Sequence, residues 1–142
     1  MLSLMHLALQ VLATARTLEQ AGQRLFQPHD LTVAQFNVLH LLADQPAGLR
    51  ASDLAAALVV DPSNITGLLK RMSAAGLLKE LPSPTDGRQR IVTLSAKGRR
   101  LWEPSHREYR RRLDRIESRL TSEERRIAEK VLNLLATESA AP

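Results

Sequence analysis

The residues best equipped for chemistry lie between positions 61 and 90. Asp86-Gly87-Arg88 sets a carboxylate and a guanidinium two positions apart around a glycine, and Arg90 follows at once. Guanidinium groups on an extended tip suit a narrow, strongly negative minor groove. Asp86 is close enough in sequence to pair with Arg88 and set its direction. Upstream, Asp61-Pro62 is a helix start, because Asp can cap and Pro loses nothing at a first helical position, where the N–H has no partner. Ile65, Leu68, Leu69 and Met72 recur at helical period, so the opposite face carries Pro62, Ser63, Asn64, Thr66, Gly67, Lys70 and Arg71. Small residues let such a helix enter a major groove; Asn64 and Thr66 suit base edges, and Lys70 and Arg71 suit phosphates. Each feature alone also fits a bland surface: a polar outer helix face, or a solvated turn with an incidental ion pair.

Other chemistries lack their residues. Cysteine is absent, which removes disulfides, thiolate metal ligands and thiol catalysis. The histidines at 6, 29, 40 and 106 are dispersed, so no metal site is expected. There is no Gly-rich phosphate loop and no Gly-x-Ser-x-Gly elbow, so neither an enzyme nor a cofactor is expected. Net charge is +5, but it is segregated: 13 Lys and Arg against 5 Asp and Glu fall between Lys70 and Arg115, leaving the remainder net acidic. That distribution favours a polyanionic partner near the candidate residues. The N-terminus shows no unbroken apolar run, so a cytoplasmic chain with no membrane segment is expected.

The elements that must position these residues follow from periodicity. Leu4, Leu7, Ala8, Val11, Ala15, Leu18, Gly22 and Leu25 stripe a long first helix that Pro28 closes. Thr32 and Gln35 have capping-box spacing ahead of a second helix with Phe36, Leu39, Leu42 and Ala43. A third runs from about Ala51 to Leu58, burying Leu54, Ala55 and Leu58, and the chain turns at 59–61 into the fourth, which ends at Gly76. The β-branched run Arg90–Leu94 and the stretch 77–81, joined by a Pro, Ser, Asp and Gly-rich turn, predict a hairpin. Ser95 can cap a fifth helix to about Leu120, kinked near Pro104. Thr121 and Glu124 form a second capping box before a last helix striped by Ile127, Val131, Leu134 and Leu135. Two short helices, a tight turn and a hairpin in this order predict a winged helix-turn-helix, so the fold class is mainly α with a small β-hairpin wing.

Here the chain resembles the MarR family of transcriptional regulators, from about Met5 to Leu135. Gly76-Leu77, Asp86-Gly87-Arg88 and Leu94-Ser95-Ala96-Lys97-Gly98 are similar to the family's wing signature at matching spacing. The resemblance implies one domain over 1–142, with a winged helix-turn-helix lobe at 31–94 flanked by dimerisation helices at 1–30 and 95–142. It implies a homodimer on double-stranded DNA, acting as a ligand-responsive repressor at a pseudo-palindromic operator. Arg88 would be the minor-groove arginine, Asp86 its orienting partner, and 62–71 the recognition surface. A small aromatic ligand would sit near Arg16, Phe36, His40 and Trp102. The chain departs from the pattern at Glu80, where many members carry an Arg on the first wing strand. The stripes Leu7, Val11, Leu18 and Ile127, Val131, Leu134 would lie exposed on a monomer, which a second copy would cover. The alternative, a winged-helix module for protein–protein contact without specific DNA binding, would be favoured by an acidic or apolar recognition face; Lys70, Arg71, Arg88 and Arg90 argue against it.

Overall fold

The structure, a computed structural model, describes residues 3–58 and 60–139; Val59, in the turn expected at 59–61, lies outside them. It falls into two compact units, residues 21–107 and residues 1–20 with 108–142.

The unit formed by residues 21–107 is built on locally signalled helices. The end of α1 (Leu4–Phe26) buries Gly22, Leu25 and Phe26, and a single 3-10 turn at Gln27–His29 carries Pro28. Thr32 caps α2 (Val33–Ala43) as the spacing predicts: its hydroxyl accepts from the Gln35 N–H at 3.1 Å while Gln35 Oε1 accepts from the Thr32 N–H at 3.0 Å. Next come β1 (Leu49–Arg50), α3 (Ala51–Leu58) and α4 (Pro62–Ala74), capped by Asp61. Phe36, Val38, Leu39 and Leu42 of α2 pack with Leu54 of α3 and Ile65 and Met72 of α4 as the centre of the core, all within 1% of full burial. Burial of each such side chain contributes about 1.5–3 kcal/mol. Leu58 and Leu68, expected on the buried faces, are only half-buried.

The wing consists of β2 (Leu78–Pro82) and β3 (Arg90–Leu94), antiparallel, with Leu78 opposite Leu94 and Pro82 opposite Arg90. The hairpin expectation omitted a strand: β1 pairs with β3 through Leu49 opposite Val92 and Arg50 opposite Ile91, so the sheet has order β1-β3-β2. Two residues are too few to show a period-2 pattern in the sequence.

Ser95 opens α5 (Ala96–Glu117), its Oγ accepting from the Gly98 N–H at 2.9 Å. The helix continues through Pro104 and ends three residues short of the expected Leu120. Within the other unit, α6 (Ser122–Ser139) starts at the predicted capping box, with Glu124 accepting from the Thr121 N–H at 2.8 Å. There the apolar stripes are only partly covered: Leu18 is 60% exposed and Ile127 and Leu134 51% each, while Leu7, Val11 and Val131 are half-buried. α1 and α6 flank a groove of about 600 Å³, lined by Leu7, Val11, Ala15 and Leu18 on one side and Ile127, Ala128, Val131 and Leu132 on the other. Among the described residues no helix is long and apolar enough to cross a membrane.

Candidate nucleic-acid interface

The presentation of α4 begins at its cap. Asp61 is extended (φ −61°, ψ 135°), and its Oδ1 accepts from the Ser63 N–H at 2.8 Å and from the Ser63 hydroxyl. Those donors, the hydroxyl first, hold the Asp61 carboxyl below its ordinary range. Ile65, Leu69 and Met72 anchor the inner face, which leaves Pro62, Ser63, Asn64, Thr66, Lys70 and Arg71 exposed and Gly67 half-buried. The seven residues predicted for recognition therefore share the outward side of one helix. Thr66 Oγ1 donates back to the Pro62 carbonyl at 3.0 Å, so its hydroxyl offers an acceptor outward.

The far end of α4 is fastened to the wing base by the signature residues. Gly76 sits at φ 75°, a left-handed position that glycine takes without steric penalty, and the chain reverses there into β2. Ser95 Oγ donates to the Gly76 carbonyl at 2.6 Å, and Lys97 Nζ donates to the Ala75 carbonyl at 2.7 Å, placing a cation at the negative end of the helix. Gly98 lies so close to the Leu77 carbonyl that a Cβ would run into its oxygen. Lys97 had no assigned role in the sequence, because its partner is 22 residues away.

At the wing tip, Asp86 acts on the backbone. Its Oδ1 accepts from the Arg88 N–H at 3.0 Å, and the Gln89 N–H donates to the Asp86 carbonyl at 2.9 Å. The expected side-chain pair between Asp86 and Arg88 does not form: the carboxylate is occupied by the local turn, and the exposed Arg88 guanidinium has no ion pair among the described residues. Ser83, 8% exposed, braces the loop from within, its Oγ within 3.1 Å of Thr85 Oγ1. Arg90 is not free in the same way, because its Nη2 lies 3.6 Å from Glu80 Oε2.

Two further polar residues reach this face. Arg50 of β1 donates to Asp53 of α3 from Nε and Nη2 at 2.9 and 3.1 Å, and from Nη1 to Gln89 Oε1 of the wing at 3.4 Å. The hydrogen bond and charge of Arg50 lower the Asp53 carboxyl from its usual value, and Asp53 raises Arg50. Sequence reasoning missed both, since the Arg50–Gln89 contact spans 39 positions and depends on the unseen β1 pairing.

The candidate ligand residues Phe36, His40 and Trp102 do come together, within the unit 21–107. Phe26 stacks on Phe36 at 3.9 Å, Phe36 on His40 at 5.7 Å, and His40 on Trp102 at 6.1 Å; His106 stacks on both His40 and Trp102. His40 Nδ1 and Trp102 Nε1 are buried without a hydrogen-bond partner among the described residues. Arg16, the fourth candidate, is exposed on α1 and belongs to the other unit. Among the described residues no group of three or more His, Asp or Glu could hold a metal ion.

A helix-turn-helix whose second helix shows a small polar face, followed by a two-stranded wing that β1 completes into a three-stranded sheet, defines a winged helix-turn-helix protein. The family model described as MarR family matches residues 29–89. The transcriptional activatory protein BadR of Rhodopseudomonas palustris is 36% identical over 91 residues, 63% of this chain and 52% of BadR. The HTH-type transcriptional repressor Mb2911 of Mycobacterium bovis is 30% identical over 111 residues, 78% of this chain and 79% of the repressor. A crystal structure of a mutant MarR from E. coli complexed with operator DNA superposes with a TM-score of 0.77 at 26% identity, covering 91% of this chain and 92% of that one. The chain belongs to the MarR family of transcriptional regulators. It spans about half the length of some of the curated relatives it matches, BadR among them.

Proposed function

We propose that the protein is a homodimeric, ligand-responsive repressor that binds a pseudo-palindromic operator in double-stranded DNA through α4 and the wing. The observation that carries this reading is the pairing, on one unit, of an outward α4 face made of Pro62, Ser63, Asn64, Thr66, Gly67, Lys70 and Arg71 with a wing tip whose Arg88 guanidinium has no ion pair among the described residues. Asn64 and Thr66 read base edges, Lys70 and Arg71 neutralise phosphates, and Arg88 enters the minor groove beside them.

One such set reads too few base pairs to select a site. Two on a two-fold axis read half-sites about 34–36 Å apart. The uncovered groove between α1 and α6 supports a second copy as its occupant, because its walls are apolar and both helices contribute exposed leucine or isoleucine. The ring stack at Phe36, His40 and Trp102 supports a small aromatic ligand: its π-faces take a ring, and the unsatisfied Trp102 N–H takes an acceptor.

The test is selection of duplexes from a random library by the full chain, followed by titration and sedimentation. Native protein is expected to sediment as a dimer and enrich a palindrome, and Arg88→Ala to lose about 1–3 kcal/mol of specific binding while staying folded. A monomer, or equal affinity for the mutant, would contradict the reading.

A further inference from the structure

Glu80, the departure from the family pattern, occupies an unusual position in the structure. Its Oε1 accepts from the Ser73 hydroxyl on α4 at 3.1 Å, and its Oε2 lies 3.6 Å from Arg90 Nη2 on β3. One carboxylate thus touches the recognition helix and both wing strands. The register explains how: Glu80 stands opposite Val92, so Arg90, two residues earlier on β3, is its diagonal neighbour on the same face of the sheet. Glu80 and Arg90 line a recess of about 210 Å³ together with Thr66, Leu69 and Lys70 of α4. A negative charge therefore shares this recess with two cations, Lys70 and Arg90, that face a polyanion on the proposed function above.

We propose that Glu80 is a built-in counterion that holds Arg90 at the root of the wing, so that Arg90 contributes little to DNA affinity and the protein neutralises one phosphate fewer than its basic surface would allow. Ser73 is the positioning residue that aims the carboxylate. The physics is competition. The pair is half-exposed, at 60% for Arg90 and 41% for Glu80, so its own strength is small and it can be displaced. A phosphate entering the recess must nevertheless displace the carboxylate from Arg90 or lie beside a like charge. Glu80 thereby tunes affinity downward and keeps binding reversible, without touching a base. The inference rests on the DNA-binding reading and adds to it a residue that sets its strength.

The test measures affinity for a library-selected duplex and for a random 30-base-pair duplex across a salt series, using the full chain. Glu80→Gln keeps an oxygen that can accept from Ser73 but removes the charge. It is expected to bind both duplexes about 2–10-fold more tightly and to steepen the slope of log affinity against log salt by about 0.9, the value for one more phosphate neutralised. Arg90→Gln is expected to change affinity less than about 2-fold in the native background and to abolish the gain in the Glu80→Gln background, a coupling that additive surface effects do not produce. Ser73→Ala, which frees the carboxylate but leaves its charge, is expected to move the salt slope by less than half as much. Unchanged or weaker binding by Glu80→Gln, or an Arg90→Gln loss equal in both backgrounds, would overturn the proposal alone. Failure of the native chain and every variant to bind either duplex would overturn the DNA-binding reading with it.

Discussion

Replacing Gly98 with alanine tests whether the wing base and α5 are packed as described. A Cβ at Gly98 would collide with the Leu77 carbonyl oxygen and come within 3.0 Å of Leu94 Cδ1. The carbonyl cannot swing away freely, because it accepts from the Ser95 N–H at 3.1 Å, the bond that ties the end of the wing to the residue just before β2. Overpacking of this kind costs about 1–3 kcal/mol, and losing the Leu77 bond about 1 more. The helix preference for alanine over glycine returns at most about 1 kcal/mol. The net expectation is a destabilisation of about 1–3 kcal/mol, which is a fall in Tm of about 4–12 °C at roughly 4 °C per kcal/mol for a chain of this size. Gly67→Ala supplies the internal control. Its Cβ would meet only the flexible end of Arg71 at 3.4 Å, so it is expected to be neutral or stabilising by up to about 1 kcal/mol. Thermal and urea unfolding of both variants, followed by circular dichroism, decides the matter. A Gly98→Ala protein as stable as the native one would mean that α5 does not approach Leu77 this closely, and the account of why the signature carries glycine there would be wrong.

Thr32→Ala removes one half of the capping box on α2 and is expected to cost about 0.5–2 kcal/mol, seen as a lower urea midpoint at unchanged m-value. An unaltered midpoint would show that the cap is dispensable. Acidification is expected to destabilise the chain below about pH 4. Asp53, Asp61 and Glu124 all have folded pKa values below their ordinary ones, so each contributes stability above the unfolded value and loses it as pH falls through the folded one. Asp61→Asn, which keeps a capping oxygen, should lose less stability than native protein between pH 5 and 2; identical acid profiles would refute that assignment.

Local chemistry determined most of the secondary structure. Both capping boxes, the Asp61-Pro62 start, the Gly76 stop and the wing turn are interactions over two to four residues, so the sequence displays each with its partner alongside. The outward face of α4 was legible for the same reason: once Ile65, Leu69 and Met72 are inside, the helical period dictates what lies outside. The aromatic and imidazole side chains at 36, 40 and 102 were legible as types and spacing, but only the packing of α5 on α2 turns them into a stack. Tertiary structure alone decided β1, the Arg50–Gln89 contact, the Lys97 cap on α4 and the bridge from Ser73 through Glu80 to Arg90. Within the wing turn, the sequence showed Asp86 and Arg88 side by side but not which group of Arg88 the carboxylate takes, and it takes the backbone N–H. A long-range contact depends on strand register and on which polar atoms local turns have already occupied, and both are settled only when the whole chain is packed. A helix cap depends on the next four residues, and those are written in order.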